Sequence, residues 1–318
     1  MMRARGRGEA LRIDVCVCTY RRRELEDTLR SIGAMAVPAN VVVRLIVADN
    51  DVEPSARDLV SALSAELPFE TVYVHCPASN ISIARNACLD HVTGDFLAFI
   101  DDDETASKEW LTELLAVAED TGADAVLGPV HAVYSDEAPV WMRKGDFHST
   151  APVWVNGEIR TGYTCNVMLR HASSFVAGRR FDLGLGQTGG EDTEYFTHLH
   201  RAGGKIAFAP RAVVHETVPG SRARLSWLTK RRFRFGQTHG RLIGDQRDAS
   251  GLMPQIGLAA AKVAYCFAAA SALAIAPVLR NRYALRGVMH AGVVSGLMGV
   301  REIRQYGEEP VGRRGNAA

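Results

Sequence analysis

Three consecutive carboxylates, Asp101-Asp102-Asp103, follow directly on the apolar run Phe96-Leu97-Ala98-Phe99-Ile100. An uninterrupted apolar run of that length suits a strand buried on both faces, so the acids emerge at a sheet edge, where α/β folds present ligands. Two carboxylates at such an edge can hold a hard divalent cation that bridges a diphosphate and neutralises a leaving group. Three acids taken alone describe a solvated turn equally well. The apolar run before them argues for the edge.

Four other short motifs have residue types suited to the same chemistry. Asp49 ends the run Val47-Ala48-Asp49, and a carboxylate there can accept hydrogen bonds from a nucleobase or ribose. Thr19 and Tyr20 end the first apolar segment and are candidates for the wall of the same pocket. Asn80-Ile81-Ser82-Ile83-Ala84-Arg85 opens a helix, whose free N–H groups, with Arg85, suit a pyrophosphate. Gly189-Gly190-Glu191-Asp192 sets two acids at a helix start. Acids are at home there because the helix dipole is positive, but a carboxylate in that place can also act as a general base. His215, after the last apolar segment, is a candidate metal or phosphate ligand, and a satisfied structural histidine fits it as well.

These motifs need a scaffold, and the hydrophobic periodicity supplies one. Strands are expected at 13–18, 41–48, 71–74, 96–100, 125–130 and 165–170. Helices are expected at 24–32, 56–67, 81–92, 110–120 and 192–202. This alternation predicts an α/β fold with a mostly parallel sheet and helices on both faces. Residues 134–162 break the pattern with Pro139, Gly145, Pro152 and Gly157, and a long irregular segment in a compact domain is commonly a binding loop. No G-x-G-x-x-G follows a strand and no G-x-x-x-x-G-K-[ST] occurs, which speaks against dehydrogenase and P-loop readings.

The chain has 318 residues, 47% hydrophobic and 23% charged, with a net charge of +1. That balance points to no polyanionic partner, and no nucleic acid is expected. Locally, residues 216–248 hold eight Lys/Arg against three acids. The six cysteines lack zinc-like pairing and read as reduced core residues, Cys16 and Cys18 pointing the same way from one strand. The basic start (Arg3, Arg5, Arg7) has no apolar segment after it, so no secretory signal is expected. Residues 256–279 are almost entirely apolar and long enough to span a bilayer. A shorter run, 288–300, follows a stretch with three arginines, Arg280, Arg282 and Arg286, read as a hinge. A transmembrane hairpin would place that hinge against the positive-inside tendency. Interfacial or re-entrant helices on an anionic leaflet are therefore expected, with a packed helical subdomain as the other reading.

With these residues in hand, the chain resembles a family-2 inverting glycosyltransferase of the GT-A fold over about residues 12–241. The resemblance rests on Val15-Cys16-Val17-Cys18-Thr19-Tyr20, Val47-Ala48-Asp49-Asn50, the Asn80 helix start, Asp101-Asp102-Asp103, Gly190-Glu191-Asp192 and His215. Within the family it is most similar to bacterial glucosyltransferases of succinoglycan-type exopolysaccharide synthesis. The resemblance implies single-displacement transfer from a UDP-sugar, first guess glucose, with Mg2+ or Mn2+. It assigns Thr19, Tyr20, Asp49, Asn80, Arg85, Asp101 and Asp102 to the donor and Asp103, Asp101 and His215 to the metal. It assigns Asp192, with Glu191, to catalysis and Asn166 and Trp141 to the acceptor. The implied acceptor is a polyprenyl-diphosphate-linked oligosaccharide at the cytoplasmic face of the inner membrane. The Q-x-x-R-W motif of processive relatives is not matched by Arg231-Arg232-Phe233-Arg234-Phe235-Gly236-Gln237, which favours single-sugar transfer.

The expected layout is a basic tail (1–11), a GT-A domain (12–216), a basic amphipathic segment (217–250), a membrane-associated helical hairpin (251–304) and a tail (305–318). A non-catalytic, membrane-bound nucleotide-sugar binding or scaffold subunit of the same fold stands as the alternative. Acids at both Asp101-Asp102-Asp103 and Asp192 favour the enzyme, since a binding module needs no base.

Overall fold

The computed structural model describes residues 10–245, 249–301 and 303. The two expected tails, apart from residues 10 and 11, lie outside the described residues.

A seven-stranded sheet has the order β11-β6-β10-β4-β1-β2-β3. Its strands are β1 (Leu11–Thr19), β2 (Val41–Asp49), β3 (Glu70–His75), β4 (Phe96–Asp101), β6 (Ala125–Leu127), β10 (Asn166–Arg170) and β11 (Ile206–Phe208). All neighbours pair parallel except β10, which runs antiparallel to both β4 and β6. The central strands are buried on both faces, and alternate β1 residues serve opposite layers. Ile13, Val15 and Val17 meet α1 (Leu25–Gly33), α2 (Arg57–Ser64) and α4 (Trp110–Thr121). Cys16 and Cys18 meet α3 (Ile81–His91) on the layer it shares with α6 (Glu191–Arg201). Cys18 Sγ lies 3.9 Å from Cys88 Sγ, and all six cysteines are free thiols. In α1, Leu25, Leu29 and Ile32 recur at helical spacing and are buried, each worth roughly 1.5–3 kcal/mol of apolar transfer.

The strand expected at 125–130 divides. β6 stays in the main sheet, while β7 (Val130–Tyr134) joins a second sheet of order β5-β12-β7, with β5 (Glu104–Ala106) and β12 (Val214–Val218). The physical reason lies in Gly128-Pro129. Proline lacks an N–H for the ladder, and a Cβ on Gly128 would collide with Ala212 O and the Asn166 side chain. The segment expected to be irregular contains α5 (Val140–Gly145) and the two-residue hairpin strands β8 (Trp154–Val155) and β9 (Glu158–Ile159). Asn156 (φ 54°) and Gly157 (φ 81°) turn that hairpin, as a two-residue turn with both φ positive requires.

Three helices follow: α7 (Leu225–Gly244), α8 (Ala249–Ala272) and α9 (Pro277–Leu297). The arginine stretch read as a hinge is instead the opening of α9. Pro277 begins that helix, where its missing N–H costs nothing, and the reversal falls between α8 and Pro277. Helices α7 and α9 run side by side through Gly236 and Gly240 on one and Gly292 and Gly296 on the other. A Cβ on Gly236 would lie 2.8 Å from Gly292 Cα, and one on Gly240 2.9 Å from Leu297 N.

Candidate active site

The C-terminal ends of β1, β2 and β4 are in register: Thr19 pairs with Asp49, and Cys18 with Asp101. Thr19, Tyr20, Asp49 and the acids that end β4 therefore converge on one sheet edge, as the topology demands. Directly beyond β4, Asp102 is buried and accepts from Tyr20 N (3.4 Å) and Arg22 Nε (3.2 Å). Asp103 Oδ2 sits 3.4 Å from Arg22 Nη2 and 3.3 Å from Arg222 Nη2. His215 shares with Asp103, Arg22 and Arg222 a cavity of about 250 Å³, and its ring lies 6.0 Å from that of His131.

Glu104, the fourth acid of Asp-Asp-Asp-Glu, is buried and accepts from Asp101 N at 3.1 Å. It opposes Glu216 across the β5–β12 pair, while Glu216 pairs with Arg222 Nη1 at 2.5 Å. Four carboxyls are pushed up, first by burial and then by one another's charge. Asp101 rises to about 7 and Asp102 to about 6, with Glu104 and Glu216 also raised. Among the described residues, one trio brings ligand atoms within 4.8 Å of one another: Asp101, Glu104 and Cys165. A buried cluster with more carboxylates than arginines, all hard oxygen donors but one, fits a divalent cation. Glu104 meets Asp101 locally, three residues on, whereas Cys165 joins them because β10 lies against β4; neither stood out in the sequence. Arg22 and Arg222 were likewise invisible, being 200 residues apart.

Several of the expected site residues have internal partners. Asp49 is fully enclosed: it accepts from Asp51 N (3.1 Å), Ala56 N (2.8 Å) and the Tyr73 hydroxyl (2.7 Å). Its carboxylate closes the turn that follows β2. The start of α3 is not free for a pyrophosphate. Ile81 N donates to Gly186 O (3.1 Å), Asn80 Oδ1 caps Ile83 N (3.3 Å), and Asn80 Nδ2 donates to Leu183 O (2.9 Å). Arg85 is buried and ion-paired with Glu191, itself 3% exposed. That pair bolts α3 to α6. Asn166 is fully buried, accepting from Trp110 Nε1 (2.8 Å) and donating to Pro129 O (2.9 Å) and Ala212 O (2.8 Å). These side-chain hydrogen bonds are all internal. Trp141 packs edge-on against Phe147 at 5.1 Å, in a cluster with Met142, Leu228 and Leu285; its ring joins α5 to the C-terminal helices.

Asp192, by contrast, is half-buried at the opening of α6, and its Oδ1 accepts from Thr193 N at 2.6 Å. Its charge acts on both Arg85 and Cys165, as does that of Asp101, and the adjacent Glu191 pairs with Arg85. The preceding Gly190 has φ 92°, a conformation available to glycine at little cost.

Comparison with known proteins shows the family and the fold. The model of glycosyl transferase family 2 matches residues 14–175. The chain is 61% identical over 303 residues, 95% of its length and 98% of the relative's, to the succinoglycan biosynthesis protein ExoM of Rhizobium meliloti (strain 1021). It is 26% identical over 247 residues, 70% of this chain and 74% of the other, to a glucosyl-dolichyl phosphate glucuronosyltransferase of Haloferax volcanii. Among solved structures, S. aureus TarS superposes with a TM-score of 0.52 at 17% identity, covering 87% of this chain and 55% of TarS. TarS 1–349 in complex with UDP gives 0.51 at 16% identity, covering 87% and 90%. At that identity the likeness is one of fold.

Proposed function

This chain belongs to glycosyl transferase family 2, and we propose that it transfers a single glucose from UDP-glucose to a polyprenyl-diphosphate-linked oligosaccharide during exopolysaccharide synthesis. The single observation that carries the reading is the meeting of two groups. The acids beyond β4 stand at the sheet edge beside Thr19 and Tyr20, and the Glu191–Arg85 pair ties the start of α6, where Asp192 lies, to α3, which packs on β1 and β2. A donor diphosphate belongs with the first group and an acceptor hydroxyl with the second.

Asp101, Asp103, Glu104 and His215 are the groups that would hold Mg2+ or Mn2+, which when bound supplies positive charge to the departing diphosphate. Arg22 and Arg222 add two guanidinium groups beside Asp103. In the transfer, the acceptor oxygen bonds to the anomeric carbon as the bond from that carbon to the UDP oxygen breaks. The acceptor proton passes to Asp192. One carboxylate base and one displacement give inversion, and general-base assistance is worth ~10²–10⁴-fold.

The acceptor's lipid fits the C-terminal helices. Gly251–Ala272 is long and apolar enough to cross a membrane and is largely exposed; at about 1.5 Å per residue it reaches roughly 33 Å. Its small residues Ala259, Cys266 and Ala270 face inward, while Met253, Leu258, Tyr265 and Phe267 face out. That inside-out pattern suits lipid contact. The basic residues of α7 suit an anionic surface at the cytoplasmic face of the inner membrane. The test is UDP release by the full-length protein in detergent, with UDP-glucose, UDP-galactose and UDP-glucuronate each offered to a lipid-linked oligosaccharide pool. Glucose transfer alone supports the donor assignment. UDP binding without release under any pairing would overturn the enzymatic reading of this site.

A further inference from the structure

Helix α7 has two opposed faces with different jobs. Gly236 and Gly240 lie within about 40° of each other around the helix, and Thr238 lies about 200° from Gly236. The glycine face is pressed against α9, where Gln237 Nε2 also donates to Ser295 Oγ at 3.2 Å. The opposite face sets Thr238, 4% exposed, against Gly190. A Cβ on Gly190 would collide with Thr238 Cγ2 and stand 2.7 Å from its Oγ1. Gly190 is the positive-φ residue from which α6 starts, two positions before Asp192. The chain between these two contacts is one helical turn. A displacement of α7 on either side is therefore delivered to the other, because packed helices shift as units rather than deform.

We propose that α7 couples the seating of the C-terminal helices on a lipid bilayer to the placement of Asp192, with Thr238 as the positioning residue. The side chain of Thr238 fills the space that Gly190 leaves, and so holds the left-handed turn that opens α6. Because α7 is locked to α9, and α8 presents its large apolar side chains outward, a bilayer that takes up α8 sets the height of α7. The Gly190–Asp192 turn follows. This rests on the assignment of Asp192 as the base. It adds that the base is correctly set only when the helices are seated, so that transfer is directed to acceptors in the membrane. Arg282 Nη2, donating to Gly145 O at 3.1 Å, ties α9 to α5 and makes a second brace between the same two bodies.

The test uses the full-length protein, the same lipid-linked acceptor and two supports: neutral detergent micelles and vesicles containing anionic phospholipid. Wild type is expected to release UDP faster on vesicles. Thr238→Ala opens a gap behind Gly190, and kcat is expected to fall by up to about 10²-fold, as for a misplaced catalytic group, with UDP affinity by calorimetry unchanged and the vesicle advantage lost. Thr238→Val keeps the branched shape and is expected to restore most of kcat, which separates positioning by shape from any role of the hydroxyl and from misfolding. Equal wild-type rates on the two supports, an unaltered kcat in Thr238→Ala, or failure of Thr238→Val to restore it would each overturn the coupling. Asp192→Asn, assayed alongside, separates the two claims: if it keeps wild-type turnover, the assignment of the base fails on its own, whatever Thr238 does.

Discussion

Arg222 Nη2 stands 3.3 Å from Asp103 Oδ2, and its Nη1 stands 2.5 Å from Glu216 Oε1. One guanidinium group thus joins the acid beyond β4, the acid on β12 and the segment that leads into α7. Its backbone carbonyl accepts from His148 Nε2 at 3.0 Å, which fixes where the arginine starts. Burial, with the arginines Arg231 and Arg222 nearby, drives His148 down to about 4. It is therefore neutral at ordinary pH and serves as a hydrogen-bonded post stacked on Trp227 at 5.2 Å.

Asp103→Ala removes the carboxylate that Arg22 and Arg222 share and, on the proposed reading, a metal ligand. Metal-dependent UDP binding is expected to weaken by at least ~10-fold, the effect of losing one charged contact. The melting temperature should change little, because the acid lies at the site's rim and not in the core. Calorimetric titration of UDP with and without Mn2+ checks this, and full activity in a chelator would contradict the metal assignment.

Asp192→Asn and Glu191→Gln should separate cleanly. The first keeps the shape of the side chain and removes the base, so kcat should drop by ~10²–10⁴-fold with donor affinity retained. The second breaks the buried pair with Arg85, and loss of one partner from such a pair costs about 3–5 kcal/mol. Its signature is a fall in thermal stability, read by calorimetry, with kcat following the folded fraction.

The acids near β4 make a pH prediction with a definite sign. Asp101, at about 7, and Asp102, at about 6, hold protons in the folded state that the unfolded chain releases near 4. At these two carboxyls the folded state therefore binds more protons between pH 4 and 7, and their contribution to stability falls as pH rises through that window, opposed by the lowered His148. Relative to Asp101→Asn, which cannot titrate there, metal-free wild type should lose melting temperature between pH 5 and pH 8. Added Mn2+ should reverse the trend and bind more tightly as pH rises, since protons compete for the same oxygens.

Phe267→Lys places a charge on the outward face of α8, where the native ring is 42% exposed. A lysine at the centre of a membrane helix costs ~2.5–3.5 kcal/mol. Flotation with vesicles should show a large loss of bound protein, while UDP affinity stays at the wild-type value. High salt should release the wild type only in part, because apolar contact is not screened.

What the sequence determined by itself is the part governed by local pattern. The apolar runs ending in Thr19, Asp49 and Asp101 specify strands buried on both faces, and a parallel sheet brings their ends to one edge, so the fold and the acid cluster were legible in advance. The outward apolar helix was legible for the same reason: period and composition are local properties. Tertiary structure alone decided how each polar group is satisfied. Asp49 and Asn166 have the residue types of ligands, yet both are enclosed by donors and acceptors from distant segments. Arg85 and Glu191, 106 positions apart, neutralise each other where the sequence offers two separate candidates. Cys165 and Arg222 become neighbours of the site only when β10 and β12 are laid down, and Arg22 only when β1 pairs with β4. A side chain's chemistry is set by its type, but whether that chemistry faces a ligand or the fold depends on long-range contacts, which no short window of sequence contains.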